Sequence, residues 1–86
     1  AEEFYRASLL EATNAQDESI CYYHLGLIKE KQGAYDEAIQ YFKQELAIKE
    51  KLLSTTDPSL IFVYDRIGAA YDIIGDPAHA LIYYIK

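Results

Sequence analysis

The sequence predicts an all-α chain: about five antiparallel helices, paired as helix-turn-helix repeats and stacked as an α-solenoid. Three observations predict it. The chain is similar to itself at a constant offset, because Tyr22, Leu25, Gly26, Gly33, Ala38, Tyr41 and Phe42 recur 42 positions on as Tyr64, Ile67, Gly68, Gly75, Ala80, Tyr83 and Tyr84. A fixed period of this size marks a stacked repeat architecture. Apolar residues inside each half-unit follow helical spacing, and glycines and Asp-Pro pairs punctuate the segments between them.

The elements follow in order. The first dozen residues predict a helix: aligned 37 positions ahead, Ala1, Phe4, Tyr5 and Leu9 fall on Ala38, Tyr41, Phe42 and Leu46. The region 1–14 therefore reads as the second helix of a preceding repeat. A complete repeat is expected over 19–57. Its first helix is predicted from about Ser19 to Gln32, carrying Cys21, Tyr22, Leu25 and Ile28, with Gly33 as its left-handed stop. Its second helix begins near Tyr35 and carries Ala38, Ile39, Phe42 and Leu46, then Leu52 and Leu53. Ser54-Thr55-Thr56 reads as a loop.

Asp57-Pro58 opens the next, truncated repeat over 58–86, with Asp57 as N-cap and Pro58 at the first helical position. Its first helix is predicted from Pro58 to Ile74. Gly75 stops it, and Asp76-Pro77 starts a last helix through Ala80, Leu81 and Tyr84. Both ends are expected to cut through repeats. Apolar faces at Phe4 and Leu9, and at Leu81, Ile82 and Tyr84, then become candidates for homo-oligomer contacts, since repeat arrays normally cover their ends with polar caps.

Composition bounds the function. With 86 residues, 51% apolar and 26% charged, the chain is one small folded domain. Its net charge of −6 opposes nucleic acid and anionic membrane as partners, and favours one with basic patches. No apolar run reaches the length of a membrane span, and the acidic start Ala1-Glu2-Glu3 does not resemble a secretory leader. A single cysteine, Cys21, permits no internal disulfide, which fits a reducing, cytoplasmic setting.

The residues capable of chemistry read as structural. His24 and His79 stand 55 positions apart without a metal-ligand neighbour at useful spacing, so no metal is expected. Cys21, with only His24 one turn away, reads as a packing thiol. Glu2, Glu3, Asp36, Glu37, Glu45 and Glu50 read as a solvated surface rather than an acid/base pair. The glycines form no phosphate-binding loop. No catalysis and no cofactor are expected.

The central unit, Tyr22-x2-Leu25-Gly26-x2-Lys29 then Ala38-x3-Phe42, resembles the tetratricopeptide repeat, as does Tyr64-x2-Ile67-Gly68-x2-Tyr71 then Ala80-x3-Tyr84. Lys29 stands where that family prefers an aromatic residue, and Glu45 where a small one is usual. The eight residues beyond the usual period of 34 lengthen the second helix by about two turns, and look like the long subtype of kinesin light chains. The resemblance implies a protein-binding scaffold whose concave face is lined by the first helix of each pair. Carried over, that face is Ile20, Tyr23, His24, Leu27 and Lys31 from one unit, and Phe62, Asp65, Arg66, Ala69 and Asp72 from the next. Tyr23, Leu27 and Phe62 are large apolar residues off the main packing stripe. The Lys/Asn pattern that clamps a terminal carboxylate in some relatives is missing: Tyr23, Leu27, Asp65 and Ala69 stand at its positions. The expected partner is a peptide with apolar anchors and at least one basic group. The alternatives are a structural spacer or a self-association segment of a larger protein.

Overall fold

A computed structural model of the chain describes residues 2–53 and 57–85. It contains five helices: α1 (Glu2–Glu11), α2 (Ala15–Lys31), α3 (Tyr35–Leu52), α4 (Pro58–Ile73) and α5 (Pro77–Tyr84), with no strand among the described residues. The alignment of Ala1 with Ala38 and the loop at Ser54-Thr55-Thr56 lie outside the described residues. Each helix packs on its neighbours in sequence. The Cα envelope measures 36 × 32 × 14 Å. Its thinnest dimension is that of two helix layers about 9–10 Å apart, so α2 and α4 form one layer and α1, α3 and α5 the other.

Helix α2 begins four residues before the predicted Ser19. Asn14 is the reason: its Oδ1 accepts the Asp17 N–H at 2.8 Å, and Asp17 and Glu18 place negative charge in the first turn. That turn is polar throughout, so apolar periodicity could not reveal it. At the other end Gly33 takes φ 78°. The Ala34 N–H reaches the Lys29 carbonyl at 2.9 Å, and the Gly33 N–H reaches Glu30 at 3.0 Å, the paired bonds of a Schellman stop. The same device recurs one repeat later. Gly75 takes φ 83°, the Asp76 N–H reaches Tyr71, and the Gly75 N–H reaches Asp72.

Asp57 and Asp76 cap α4 and α5 by accepting the Ser59 and His79 N–H groups, each with proline at the first helical position. Helix α3 has no side-chain cap, only Asp36 and Glu37 in its first turn.

The core joins α3, α4 and α5 through Ala38, Ile39, Phe42, Leu46, Leu60, Val63, Ile67, Ala70, Tyr71 and Ala80. Leu25 and Cys21 bury the matching face of α2. Glycines set the helix approach within each pair. A Cβ on Gly26 would stand 2.5 Å from the Phe42 ring, and one on Gly68 2.7 Å from the Tyr84 ring. Tyr22–Tyr41 and Tyr64–Tyr83, equivalent pairs, hold their ring centroids 6.3 and 6.5 Å apart.

Three expectations are corrected. Glu45 is not part of the solvated surface: it is wholly buried. Tyr23 and Leu27 are half-buried and pack against the core cluster rather than standing off it. Near the N-terminus Leu10, not Leu9, is the exposed leucine, because Leu9 turns partly inward.

Candidate functional site

Helices α2 and α4 carry residues that recur 42 positions apart, among them Gly26 and Gly68. Between the two helices, floored by α3, lies a cavity of about 370 Å³. Helix α2 contributes Ser19, Ile20 and Tyr23; α4 contributes Ser59, Phe62 and Arg66; α3 contributes Glu45 and Lys49. Four of the ten predicted groove residues thus converge: Ile20, Tyr23, Phe62 and Arg66. Ile20 is 47% and Phe62 67% exposed, so the apolar walls are open to solvent.

The floor is a charge cluster. Arg66 donates from Nη1 to Glu45 Oε1 at 2.8 Å and from Nη2 to Oε2 at 3.5 Å. Lys49, one turn along α3, pairs with Oε2 at 2.8 Å. The Arg66 guanidinium lies 4.5 Å from the Tyr23 ring centroid and 4.9 Å from that of Phe42. A buried carboxylate is costly unless paired and hydrogen-bonded, and this cluster meets both needs. It ties α3 to α4 and holds Arg66 against Tyr23 of α2. Among the described residues no buried side-chain polar atom lacks a partner.

The other predicted positions are placed differently. His24 is half-buried and stacks on Tyr5 at 4.5 Å, with planes 14° apart. Its repeat equivalent, Arg66, lies over Phe42 in the same way, and Tyr5 and Phe42 are themselves equivalent. Lys31, Asp65, Ala69 and Asp72 are exposed further along the two helices. Asp72 Oδ2 accepts the Tyr84 hydroxyl at 3.2 Å. Partial desolvation raises the Tyr84 pKa, and the hydrogen bond that its phenol donates to Asp72 raises it further.

Glu45, Lys49, Ser19 and Ser59 complete the site but were not anticipated from sequence. One signal was available: Glu45 replaces the small residue usual at its position, and Arg66 is the cation that answers it. Ser19 Oγ donates to the Gln16 carbonyl at 2.8 Å, which fixes it in the α2 backbone.

Lys29, which departs from the aromatic preference of its position, bridges Glu2 and Glu37 at 3.2 Å each, tying α1 and α3 to α2. Hydrogen bonding to Glu2, then Glu37, raises the Lys29 pKa; hydrogen bonds from Lys29 and Gln32 lower that of Glu2. Tyr71, the equivalent of Lys29, stacks on Tyr83 and lies beneath Lys43. Cys21 is buried, and burial followed by Asp17 and Glu18 raises its thiol pKa, so the thiolate is disfavoured. Among the described residues no three His, Cys, Asp or Glu side chains converge on a metal-holding arrangement. Among the described residues no helix is long and apolar enough to cross a membrane.

A search of curated proteins gave no significant match. The family model described as Tetratricopeptide repeat matches residues 17–86, the stretch that carries both glycine-marked helix crossings, both Schellman stops and the cavity between α2 and α4. The chain belongs to the tetratricopeptide repeat family, whose members are generally non-catalytic protein-interaction modules.

Proposed function

We propose that the chain is a protein–protein interaction scaffold that holds a peptide or protein segment in the groove between α2 and α4, without catalysis. One observation carries the reading: Ile20, Tyr23, Phe62 and Arg66 converge around an open cavity whose floor is fixed by paired charges. An exposed apolar surface rimmed by charge is the usual mark of a binding site. The repeat division (1–14, 19–57 and 58–86) and a reducing, cytoplasmic setting belong to the same proposal. The paired crossings at Gly26 and Gly68 support the division. The lone buried thiol supports the setting.

Exposed Asp65 and Asp72 favour a basic group on the partner toward the C-terminal half of α4. Peptides selected from a random display library against the chain provide the probe, with affinity read by fluorescence polarisation. Reversing both aspartates to lysine is expected to weaken binding about tenfold. Unchanged affinity would remove the basic-partner reading.

Self-association has its own observation. Leu81, Ile82, Tyr84 and Ile85 leave α5 with an exposed apolar face, Ile85 at 74%. Light scattering across a hundredfold dilution tests it: a mass that falls on dilution supports contact through this face, and a constant monomer mass opposes it.

A further inference from the structure

We infer that the cavity between α2 and α4 receives one side-chain carboxylate, an Asp or Glu within a bound peptide, whose apolar neighbour lies on Ile20 and Phe62. The inference rests on the groove reading above and deepens it by naming the chemistry at its centre.

Charge is the first ground. The charged side chains lining the cavity are Arg66, Lys49 and Glu45, two cations and one anion, which leaves a local charge of +1 in a chain whose net charge is −6. Access is the second. Glu45 is 0% exposed, whereas Arg66 and Lys49 are partly exposed, so the cations stand between the buried carboxylate and the opening.

Spare hydrogen-bonding capacity is the third ground. Both Glu45 oxygens are taken. A lysine ammonium has three N–H donors and a guanidinium five. Glu45 uses one from Lys49 and two from Arg66, leaving 3 − 1 = 2 and 5 − 2 = 3 beyond that pairing. Tyr23 and Phe42 lie against the guanidinium, so its N–H edge is the part left to meet a ligand. One surplus charge matches a monoanion. A phosphoryl dianion would turn the cluster negative beside an already buried carboxylate.

The cavity lies toward the N-terminal ends of α2 and α4, and both helices continue past it on one side, where Ala69 and Asp72 are exposed. A chain running along both helices would present a side chain here, with a basic residue available for Asp65 and Asp72 beyond it.

The probe is a random 12-residue peptide library displayed on phage and selected against the immobilised 86-residue chain. Enriched peptides are expected to share an Asp or Glu beside an apolar residue. Converting that acid to its amide should weaken binding about tenfold, as expected when a charge-assisted hydrogen bond is lost. Lys49→Met should cost the acidic peptide a similar factor and leave its amide counterpart unchanged, while Lys49→Arg restores affinity. Arg66 is not the variant of choice, because its removal deprives Glu45 of its principal partner. Enriched peptides that lack an acid, or tolerate the amide within twofold, would overturn the inference and leave the groove reading standing if they still compete for the groove. Binding that depends only on a free C-terminus, lost on its amidation, would also overturn it. A library that yields no binder would overturn both readings.

Discussion

Glu45 shows how one residue can serve both fold and site. On sequence spacing it belongs with the other helix-surface carboxylates. In the structure it is the fixed anion around which Arg66 and Lys49 assemble. Breaking such a pair leaves a buried charge short of partners, whereas replacing both members with apolar residues removes the desolvation cost as well. Arg66→Met is therefore expected to destabilise the chain by about 2 kcal/mol, held below the full cost of an orphaned buried ion because Lys49 remains. The double change Glu45→Leu with Arg66→Met is expected to recover most of that loss. Urea denaturation of the two variants checks the pair; a double variant no better than the single would mean that the cluster acts through packing alone. Spacing alone did not show the burial of Glu45, because its partner lies 21 positions away on another helix; its place at a usually small position was the one signal.

Lys29 makes a second residue-level case, and its pH dependence has a definite sign. The Glu2 pKa is lowered below its ordinary 4.5, so its bridge stabilises above that value and is lost as pH falls through the folded pKa. The Lys29 pKa is raised above 10.5, so its contribution is present below that value and fades as pH rises through the folded pKa. Between these limits the bridge is intact. Lys29→Met should lower the urea midpoint at pH 7 and narrow the further loss on acidification to pH 3. Parallel pH profiles for the two proteins would show that the bridge is too exposed to matter.

At the scale of elements, helix crossings and helix ends decide the repeat. Gly26 and Gly68 occupy the same sequence position, yet their substitutions should differ. The Phe42 ring facing Gly26 is fully buried and cannot move aside, whereas Tyr84, facing Gly68, is 46% exposed. Gly26→Ala is expected to cost about 2 kcal/mol through overpacking. Gly68→Ala should cost about 1 kcal/mol or less, because the ring can swing away and alanine favours the helix. Thermal melts of the two variants compare them directly, and equal shifts would mean that Tyr84 is as fixed as Phe42.

The elements were also where sequence was most readable. Gly33, Gly75, Asp57-Pro58 and Asp76-Pro77 each encode a local backbone requirement, so helix stops and starts could be placed within a residue or so. The start of α2 was the exception: Asn14 caps a polar turn that carries no apolar period. The site was less legible than the fold. Ile20, Tyr23, Phe62 and Arg66 follow from helix register, but which of the ten candidate positions meet at one cavity depends on how α2 and α4 sit across α3. His24 and Leu27 keep the right register and are drawn into packing instead, His24 by Tyr5 and Leu27 by the core.

For the whole molecule, a two-layer slab has two kinds of apolar surface to offer. One is the groove along α2 and α4, with charge built into its floor. The other is the set of open faces at α1 and α5, where Phe4, Leu10, Leu81 and Ile85 are exposed without comparable polar organisation. On the proposed function, specific recognition belongs to the groove. The most direct test is to titrate a library-selected peptide into isotopically labelled chain and follow backbone amide NMR shifts. The groove account predicts the largest changes at Ile20, Tyr23, Phe62 and Arg66, with α5 nearly silent. Changes centred on Leu81, Ile82 and Ile85, with the α2 and α4 amides unmoved, would contradict it.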